Sequence, residues 1–215
     1  MKNRIVGWFG IALALFALIL AACTASAPVD SPPELPATSV PKSLNVIGPL
    51  QVGDMAPDFT LPDSNENMVN LAEELQENEQ VVLVFYYFHS CGPCMTQLRD
   101  LEKDRAKYEK SGVQVIAIAV QDEGGAEASA RSSQADFPIL ADSDHAVAGA
   151  FGVYDLLPED FSRPHPSVFV INRDRRIVWS YIEPAHFGED EVPRMACGGE
   201  RVSSAYILEN LPDSN

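Results

Sequence analysis

The stretch VVLVFYYFHSCGPCMTQLRDL, residues 81–101, contains the pattern that decides the fold. Residues 81–88 are continuously apolar and mostly β-branched or aromatic, which is typical of a strand buried on both faces. The apolar residues that follow the cysteines recur at helical spacing as far as Tyr108. This order predicts a buried strand that delivers Cys91 and Cys94 to the first turn of a helix.

Strands and helices alternate along the rest of the chain, and a polar turn at residues 172–175 joins the last two strands. Such an alternation, closed by a hairpin, predicts an α/β sandwich with a mixed β-sheet. The order β-α-β-α-β-β-α resembles the thioredoxin core, so we expect a thioredoxin-like three-layer α/β/α sandwich. The other predicted strands are 58–61, 113–120, 137–140, 167–171 and 176–182, and the other predicted helices are 71–78, 124–134, 145–152 and 203–211.

The pattern of residues at the N-terminus predicts a targeting segment. Lys2 and Arg4 precede an apolar run over residues 5–22, which ends in LAAC at residues 20–23. This pattern resembles a bacterial lipoprotein signal, and the resemblance implies that Cys23 becomes the first mature residue and carries the lipid. The alternative is an uncleaved anchor helix, because the run is nearly long enough to span a bilayer. Both interpretations place the rest of the chain outside the cytoplasm.

Three regions are expected along the chain. Residues 1–22 are the signal peptide, and residues 23–49 are rich in Pro, Ser and Ala, which favours an extended, flexible tether. Residues 50–213 form the thioredoxin-like domain. The predicted localisation is extracytoplasmic, on the membrane of a bacterium, through the N-terminal lipid.

The charge of the chain argues against two kinds of partner. The formal net charge is -16, with no run of Lys and Arg that offsets it. Nucleic acids and anionic lipid surfaces both attract basic patches. We therefore expect no nucleic-acid partner and no electrostatic docking on a lipid surface.

The two cysteines of CGPC predict redox chemistry. Two intervening residues in a first helical turn bring both sulfurs within disulfide reach, and the helix N-terminus favours a thiolate on the first. Pro93 suits this turn, whose N–H groups have no intrahelical partner. We expect Cys91 to be the exposed nucleophile and Cys94 to resolve the mixed disulfide. No cofactor is needed, since the electrons travel in the sulfurs.

Other uses of the pair are less well supported by the sequence. A structural zinc site needs four ligands, and neither Cys197 nor the four histidines supply a second pair at the right spacing. A structural disulfide across two residues closes a very small loop and stabilises little. A copper(I) chaperone remains an alternative, because thiolates suit that soft ion.

Several motifs together resemble a known family. CGPC at residues 91–94 is identical to the thioredoxin active-site tetrad, and VGDMAPDFTLPDSN at residues 52–65 resembles the opening of the redoxin group. That group comprises the AhpC/TSA peroxiredoxins and the TlpA/ResA-like thiol-disulfide oxidoreductases. Residues 137–155 and 166–179 resemble its later segments. The resemblance implies a thiol-disulfide oxidoreductase, with a thiol peroxidase as the alternative.

The resemblance also implies roles for residues outside CGPC. Pro166 matches the proline that thioredoxin-like proteins hold in cis beside the disulfide, where it exposes backbone to an extended substrate; the alternative is a trans proline that opens a strand. Arg163 is a candidate for the peroxiredoxin arginine. Two further candidates come from the residues themselves and not from the resemblance. A protonated His89 would stabilise the Cys91 thiolate, and the alternative is a solvent-facing loop histidine. Cys197 is the odd thiol, and it is either a third redox cysteine or an unpaired residue in a flexible loop.

The sequence departs from both branches of the group. Phe85 stands where thioredoxins carry a buried carboxylate, and Ser90 stands where they carry a tryptophan. Val84 and Phe88 stand where a peroxidatic cysteine has its proline and its Thr or Ser. The expected partners are protein thiols and disulfides together with a membrane or extracytoplasmic electron donor, and peroxides are the alternative substrate.

Overall fold

Strands and helices alternate in a computed structural model of the chain, as the sequence predicts. The structure describes residues 48–154, 163–184 and 201–213, all of which belong to the unit Pro36–Asn215. The strands are β1 (Thr60–Pro62), β2 (Met68–Asn70), β3 (Gln80–Phe85), β4 (Val113–Ala119), β5 (Ile139–Ala141), β6 (Ser167–Asn172) and β7 (Ile177–Ile182). The helices are α1 (Leu71–Glu77), α2 (Gly92–Lys103), α3 (Arg105–Lys110), α4 (Glu123–Ser133), α5 (Ala146–Ala150) and α6 (Ser204–Glu209).

The main sheet has five strands in the order β5-β4-β3-β6-β7. Strand β3 is parallel to β4 and antiparallel to β6, and β6 and β7 form the predicted hairpin. The prediction of a mixed sheet is therefore confirmed. A small separate ladder pairs β1 with β2, a strand that the sequence analysis did not predict because it follows a cluster of turn residues.

Strand β3 divides the core into two clusters. Successive side chains of a strand point to opposite faces. Val82 and Val84 belong to the cluster that contains both cysteines and the buried faces of α2, α4 and α6. Leu83 and Phe85 belong to the cluster that contains the buried residues of α1 and α5. Helices thus cover both faces of the sheet, and the predicted three-layer sandwich is confirmed.

The end of the central strand differs from the prediction. Strand β3 ends at Phe85 rather than at residue 88, although Tyr86 still donates its N–H to the Ile118 carbonyl at 3.1 Å. The following residues turn away from the sheet, and the turn closes where Cys91 N–H donates to the Phe88 carbonyl at 3.1 Å.

The segment after the cysteines forms two helices, where the sequence predicts one. The break lies at Asp104, between α2 and α3. The Asp104 carboxylate accepts a hydrogen bond from the Ser204 hydroxyl at 2.8 Å and pairs with Lys107 at 2.7 Å. A contact that is distant in sequence therefore marks this boundary, and helical spacing alone does not reveal it.

Asp142 is a buried carboxylate at the end of β5. Its two oxygens accept the N–H groups of Val147 and Ala148 at 3.1 and 2.8 Å, which holds the start of α5 against the sheet. Burial raises the pKa of Asp142 to about 6, although those two hydrogen bonds act in the opposite direction. The protonated form is therefore favoured in the folded state relative to the unfolded chain.

We predict that Asp142 makes the protein less stable as the pH rises from about 4 to about 6. Between the unfolded and folded pKa values the native state holds a proton that the unfolded chain has lost, so the stabilisation is complete below the lower value and is lost through the upper one. The free energy of unfolding of the wild type, minus that of Asp142→Asn, should fall by up to about 3 kcal/mol over this range. Urea titrations at several pH values measure it. A difference independent of pH contradicts the prediction.

Candidate functional site

The cysteines lie at the junction between β3 and α2, where the sequence places them. Cys91 is the N-cap residue of α2, and its carbonyl accepts the Met95 N–H at 3.0 Å, while Pro93 occupies the first turn. Cys91 and Cys94 are joined by a disulfide, and their Cα atoms are 5.3 Å apart. A pair of sulfurs at a helix N-terminus is suited to thiol-disulfide exchange, because the positive end of the helix favours a thiolate.

The prediction that Cys91 is exposed is wrong. Both Cys91 and Cys94 are 0% exposed and belong to the core cluster on one face of the sheet. The pattern of residues around CGPC contains no sign of what lies over the sulfurs. Any partner that attacks the disulfide must therefore first move atoms that cover it.

An arginine distant in sequence contacts the disulfide. Arg201 Nη2 lies 3.9 Å from Cys91 Sγ and 3.8 Å from Cys94 Sγ. The same guanidinium lies near the face of the Tyr87 ring, with Cζ 5.2 Å from the ring centroid. The cationic group beside the sulfurs is thus supplied by the residues just before α6.

The backbone of Val202 fixes this arginine in place. Its N–H donates to Glu183 Oε1 at 3.0 Å, and its carbonyl accepts from Gln97 Nε2 at 3.0 Å. Glu183 follows β7 and is buried, and Gln97 lies on the buried face of α2. One residue of the C-terminal segment is therefore held from both sides.

Helix α6 holds the other end of the same segment. The Ser203 hydroxyl accepts the Tyr206 N–H at 3.2 Å and caps the helix. The Tyr108 hydroxyl of α3 donates to the Ser204 carbonyl at 3.1 Å. Burial raises the pKa of Tyr108 to about 12, so this hydroxyl keeps its proton at neutral pH.

Two candidate residues from the sequence lie beside Phe88. His89 is exposed, and its ring meets the Phe88 ring edge-on at a centroid distance of 6.5 Å. Arg163 places its guanidinium 3.8 Å from the Phe88 ring centroid. Among the described residues, the guanidinium at hydrogen-bonding distance from the sulfurs belongs to Arg201 and not to Arg163. The roles proposed for His89 and Arg163 remain predictions.

The predicted cis proline is corrected by the structure. The described residues contain no cis peptide bond, so the bond between His165 and Pro166 is trans. In this extended conformation the His165 N–H donates to the Val153 carbonyl at 2.7 Å, and the Pro166 carbonyl accepts the Glu183 N–H at 3.1 Å. A trans proline at the start of β6 therefore satisfies the polar groups on both sides of it.

His165 is buried between β6 and the end of β7. Its Nε2 lies 2.6 Å from the Glu183 carbonyl, which only accepts hydrogen bonds, so Nε2 carries the hydrogen. His165 thus helps to fix the residue whose carboxylate holds Val202. The sequence showed a histidine next to Pro166 but no sign of this connection.

Phe85 and Tyr86 show which groups this chain has in place of the buried carboxylate of thioredoxins. Phe85 packs with Phe151 and Phe169 in the cluster on the face opposite the disulfide. Tyr86 is the buried residue on the disulfide face, and its hydroxyl accepts from Gln121 Nε2 at 2.7 Å. Burial raises the pKa of Tyr86, so it is a neutral group at physiological pH. The charged groups of the site come from outside β3.

Some predicted features lie outside the described residues. These are Cys23, Cys197, the signal peptide and nearly all of the tether. In the part of the chain that the structure describes, no helix is long and apolar enough to cross a membrane. Within the same residues, no three or more His, Cys, Asp or Glu side chains are grouped to hold a metal ion.

The fold and the family together define the class of protein. A thioredoxin-like sandwich with a cysteine pair at a helix N-terminus is the architecture of a redox enzyme. Residues 52–180 match the AhpC/TSA family, and the protein belongs to that family. The peroxiredoxin relatives described below agree with this assignment. The chain is therefore a thioredoxin-fold redox enzyme.

Two curated relatives illustrate the match. The chain is 31% identical to peroxiredoxin Bcp of Escherichia coli (strain K12) over 135 residues, which cover 61% of this chain and 85% of the relative. It is 32% identical over 133 residues to a putative peroxiredoxin of Mycobacterium tuberculosis (strain ATCC 25618 / H37Rv), with 60% and 83% covered. Both alignments span most of the relative.

Solved structures show the same fold. Peroxidoxin BcpB from Mycobacterium tuberculosis superposes with a TM-score of 0.58 at 24% identity, covering 62% of this chain and 86% of that chain. AhpC from Enterococcus faecalis superposes with a TM-score of 0.60 at 19% identity, covering 74% and 89%. These similarities confirm the predicted thioredoxin-like fold.

We predict that Gln97→Leu destabilises the protein by about 1–3 kcal/mol, because it leaves the buried Val202 carbonyl without its donor. Thr96→Val, a change at an exposed position of the same helix, is the matched control and should cost no more than about 0.5 kcal/mol. Urea unfolding of both variants measures the free energies. Equal stability of the two variants would show that Gln97 does not hold the C-terminal segment.

Proposed function

We propose that the protein is a membrane-tethered, extracytoplasmic thiol-disulfide oxidoreductase that uses Cys91 and Cys94. The observation that carries the proposal is the disulfide at the N-terminus of α2, the position at which a thiolate is favoured. Membership of a redox family supports a chemical rather than a structural role for this pair.

The exchange reaction proceeds in two balanced steps. In the reduced protein, the Cys91 thiolate attacks a disulfide of the partner, a mixed disulfide forms, and one partner thiolate leaves. The Cys94 thiolate then attacks Cys91 Sγ, the mixed disulfide breaks, and the second partner thiolate leaves. The partner gains two electrons, and the pair returns to the Cys91–Cys94 disulfide. A dithiol partner drives the same steps in reverse.

A thiol peroxidase is the second candidate, and the names of the relatives favour it, since they are called peroxiredoxins. In that reaction the Cys91 thiolate attacks one peroxide oxygen, the O–O bond breaks, and Cys91 becomes a sulfenic acid. The leaving hydroxide or alkoxide takes a proton from solvent and becomes water or an alcohol. The Cys94 thiol then displaces water from the sulfenic acid to form the disulfide. A thiol reductant must return two electrons to the pair.

The tether is the part of the proposal that rests on sequence alone. A basic start, an apolar run and the LAAC ending support a lipid on Cys23, with residues 23–49 as a spacer. The partners proposed for this location are protein thiols and disulfides and an electron donor in or near the membrane.

We predict that Cys91→Ser abolishes insulin-disulfide reduction, because the attacking sulfur is lost. Cys94→Ser should instead accumulate mixed disulfides, because the resolving sulfur is lost and the first step remains. Non-reducing electrophoresis and peptide mass spectrometry measure both outcomes. Ser132→Ala, at an exposed serine of α4, is the control and should keep wild-type activity. Insulin reduction that survives Cys91→Ser would overturn the mechanism.

The same variants distinguish the candidate functions. Two results would favour the peroxidase over the exchange enzyme: rapid peroxide consumption by the wild type with a thiol reductant, and a sulfenic acid on Cys91 when Cys94→Ser is treated with peroxide alone. Stoichiometric copper(I) binding by the dithiol form, without turnover of either substrate, would favour the chaperone. Cys197→Ser tests the third thiol, which contributes only if the variant changes the rate.

We predict that Cys23→Ala releases the protein from the membrane fraction when the full chain is expressed in a bacterium. Labelled palmitate should enter the wild type and Cys197→Ala but not Cys23→Ala, because the lipid is attached to the Cys23 sulfur. Fractionation and autoradiography measure this. An unlabelled wild type that stays in the membrane fraction would favour the uncleaved anchor helix.

A further inference from the structure

Arg201 is the feature of the site that neither the sequence analysis nor the proposed exchange steps use. Its Nη2 lies at nearly the same distance, 3.9 and 3.8 Å, from the two sulfurs of the disulfide. An arginine carries its charge across the whole physiological pH range. A permanent cation therefore stands beside the two atoms that change oxidation state.

Hydrogen bonds hold the backbone next to Arg201 in a defined position. The next residue, Val202, is bound through its N–H to Glu183 and through its carbonyl to Gln97, both at 3.0 Å. Two residues further on, the Ser204 hydroxyl donates to Asp104 at 2.8 Å. The backbone on the C-terminal side of Arg201 is anchored by three residues, Glu183, Gln97 and Asp104. Little backbone freedom is therefore lost when the guanidinium contacts the sulfurs.

The cation acts differently on the two oxidation states. A disulfide is neutral, so the guanidinium gains little by lying next to it. The reduced pair carries a thiolate, and a guanidinium within about 4 Å of it is attracted strongly in a partly buried site. The contact therefore stabilises the reduced form more than the oxidised form, and a stabilised reduced form makes a dithiol pair more oxidising.

Glu183, His89 and Arg163 lie near other residues of the site, and their effects must be distinguished from that of Arg201. The Glu183 side chain accepts the Val202 N–H through Oε1 at 3.0 Å. His89 is exposed and lies two residues before Cys91, and Arg163 lies over Phe88. Of the charged groups in the described residues, Arg201 is the one with a nitrogen at hydrogen-bonding distance from both sulfurs.

We propose that Arg201 is a catalytic residue that holds the thiolate of the reduced pair and thereby raises its reduction potential. The inference rests on the proposed function, since it takes the Cys91–Cys94 disulfide as the group that cycles. On reduction by a dithiol, the partner's two thiols become a disulfide, the Cys91–Cys94 bond breaks, and one thiolate and one thiol remain. One of the two protons stays on the thiol, and the other leaves to solvent.

The test uses the full chain and three variants. Arg201→Gln removes the charge but keeps a polar side chain, and Arg201→Lys keeps a charge on a different head group. Arg173→Gln is the matched control, because it removes the same charge from the β6–β7 turn. That turn follows Asn172, which pairs with Gln80 at the end of β3 far from the disulfide. Each variant is equilibrated with glutathione redox buffers, and the dithiol and disulfide forms are quantified by mass spectrometry of the Cys91 peptide.

Arg201→Gln should shift the equilibrium about tenfold toward the disulfide, which corresponds to a potential about 30 mV more negative. In a Cys94→Ser background, the same change should raise the pKa of the Cys91 thiol and slow its alkylation by iodoacetamide about tenfold at neutral pH. Arg201→Lys should recover most of both losses, and Arg173→Gln should match the wild type.

Equal potentials and alkylation rates in Arg201→Gln and Arg173→Gln would overturn the proposal. If Arg201→Gln does not fold, as judged by circular dichroism, Arg201→Met takes its place with the same expected shifts. Neither measurement needs a protein partner or a peroxide. The role of Arg201 and the proposed function can therefore be contradicted independently of each other. Activity that survives Cys91→Ser overturns the function, whereas an unchanged potential in Arg201→Gln overturns only the role of Arg201.

Discussion

The structure depends on the burial of β3 in the middle of a mixed sheet. Both edges of the strand are paired, to β4 and to β6, and all of its residues are buried. A strand in this position cannot shift its register without moving a whole hydrophobic face. Its end at Phe85 therefore has a fixed position, and so does the turn that carries Cys91 to the start of α2. The position of the Cys91–Cys94 pair is therefore determined by this strand.

The alternation of β3 also decides which groups surround the disulfide. Tyr86 shares the face of the cysteines, whereas Phe85 points into the opposite cluster. A carboxylate in place of Phe85 would lie among the aromatic rings of Phe151 and Phe169, and burying an unpaired charge there is costly. The residue after the strand thus places a neutral, hydrogen-bonded tyrosine on the face of the pair. Charge reaches the sulfurs from the other end of the chain, through Arg201.

The C-terminal segment is consequently part of the site and not only a cover for the sheet. Glu183 after β7, Gln97 on α2 and Tyr108 on α3 all hold backbone groups between Val202 and Ser204. Their hydrogen bonds are buried, which makes each one costly to leave unmade. A partner that reaches the disulfide must act against this arrangement. Access to the pair and the stability of the segment are therefore linked.

Much of the fold was predictable because its signals are local. The continuous apolar run that became β3 and the polar turn of the β6–β7 hairpin are each recognised within a few residues. The break at Asp104 and the trans bond before Pro166 were not predicted, because each is tied to groups far away in sequence, Ser204 in one case and Val153 with Glu183 in the other.

The sequence by itself determined that a cysteine pair sits between a buried strand and a helix, since spacing and composition specify both neighbours. Only the tertiary structure decided that the sulfurs are buried and that a cation lies beside them. The reason is physical: burial and electrostatic contact depend on which surfaces meet in space. Residues 201 and 91 share no periodicity or motif, and only the folding of α6 onto α2 and α3 brings them together.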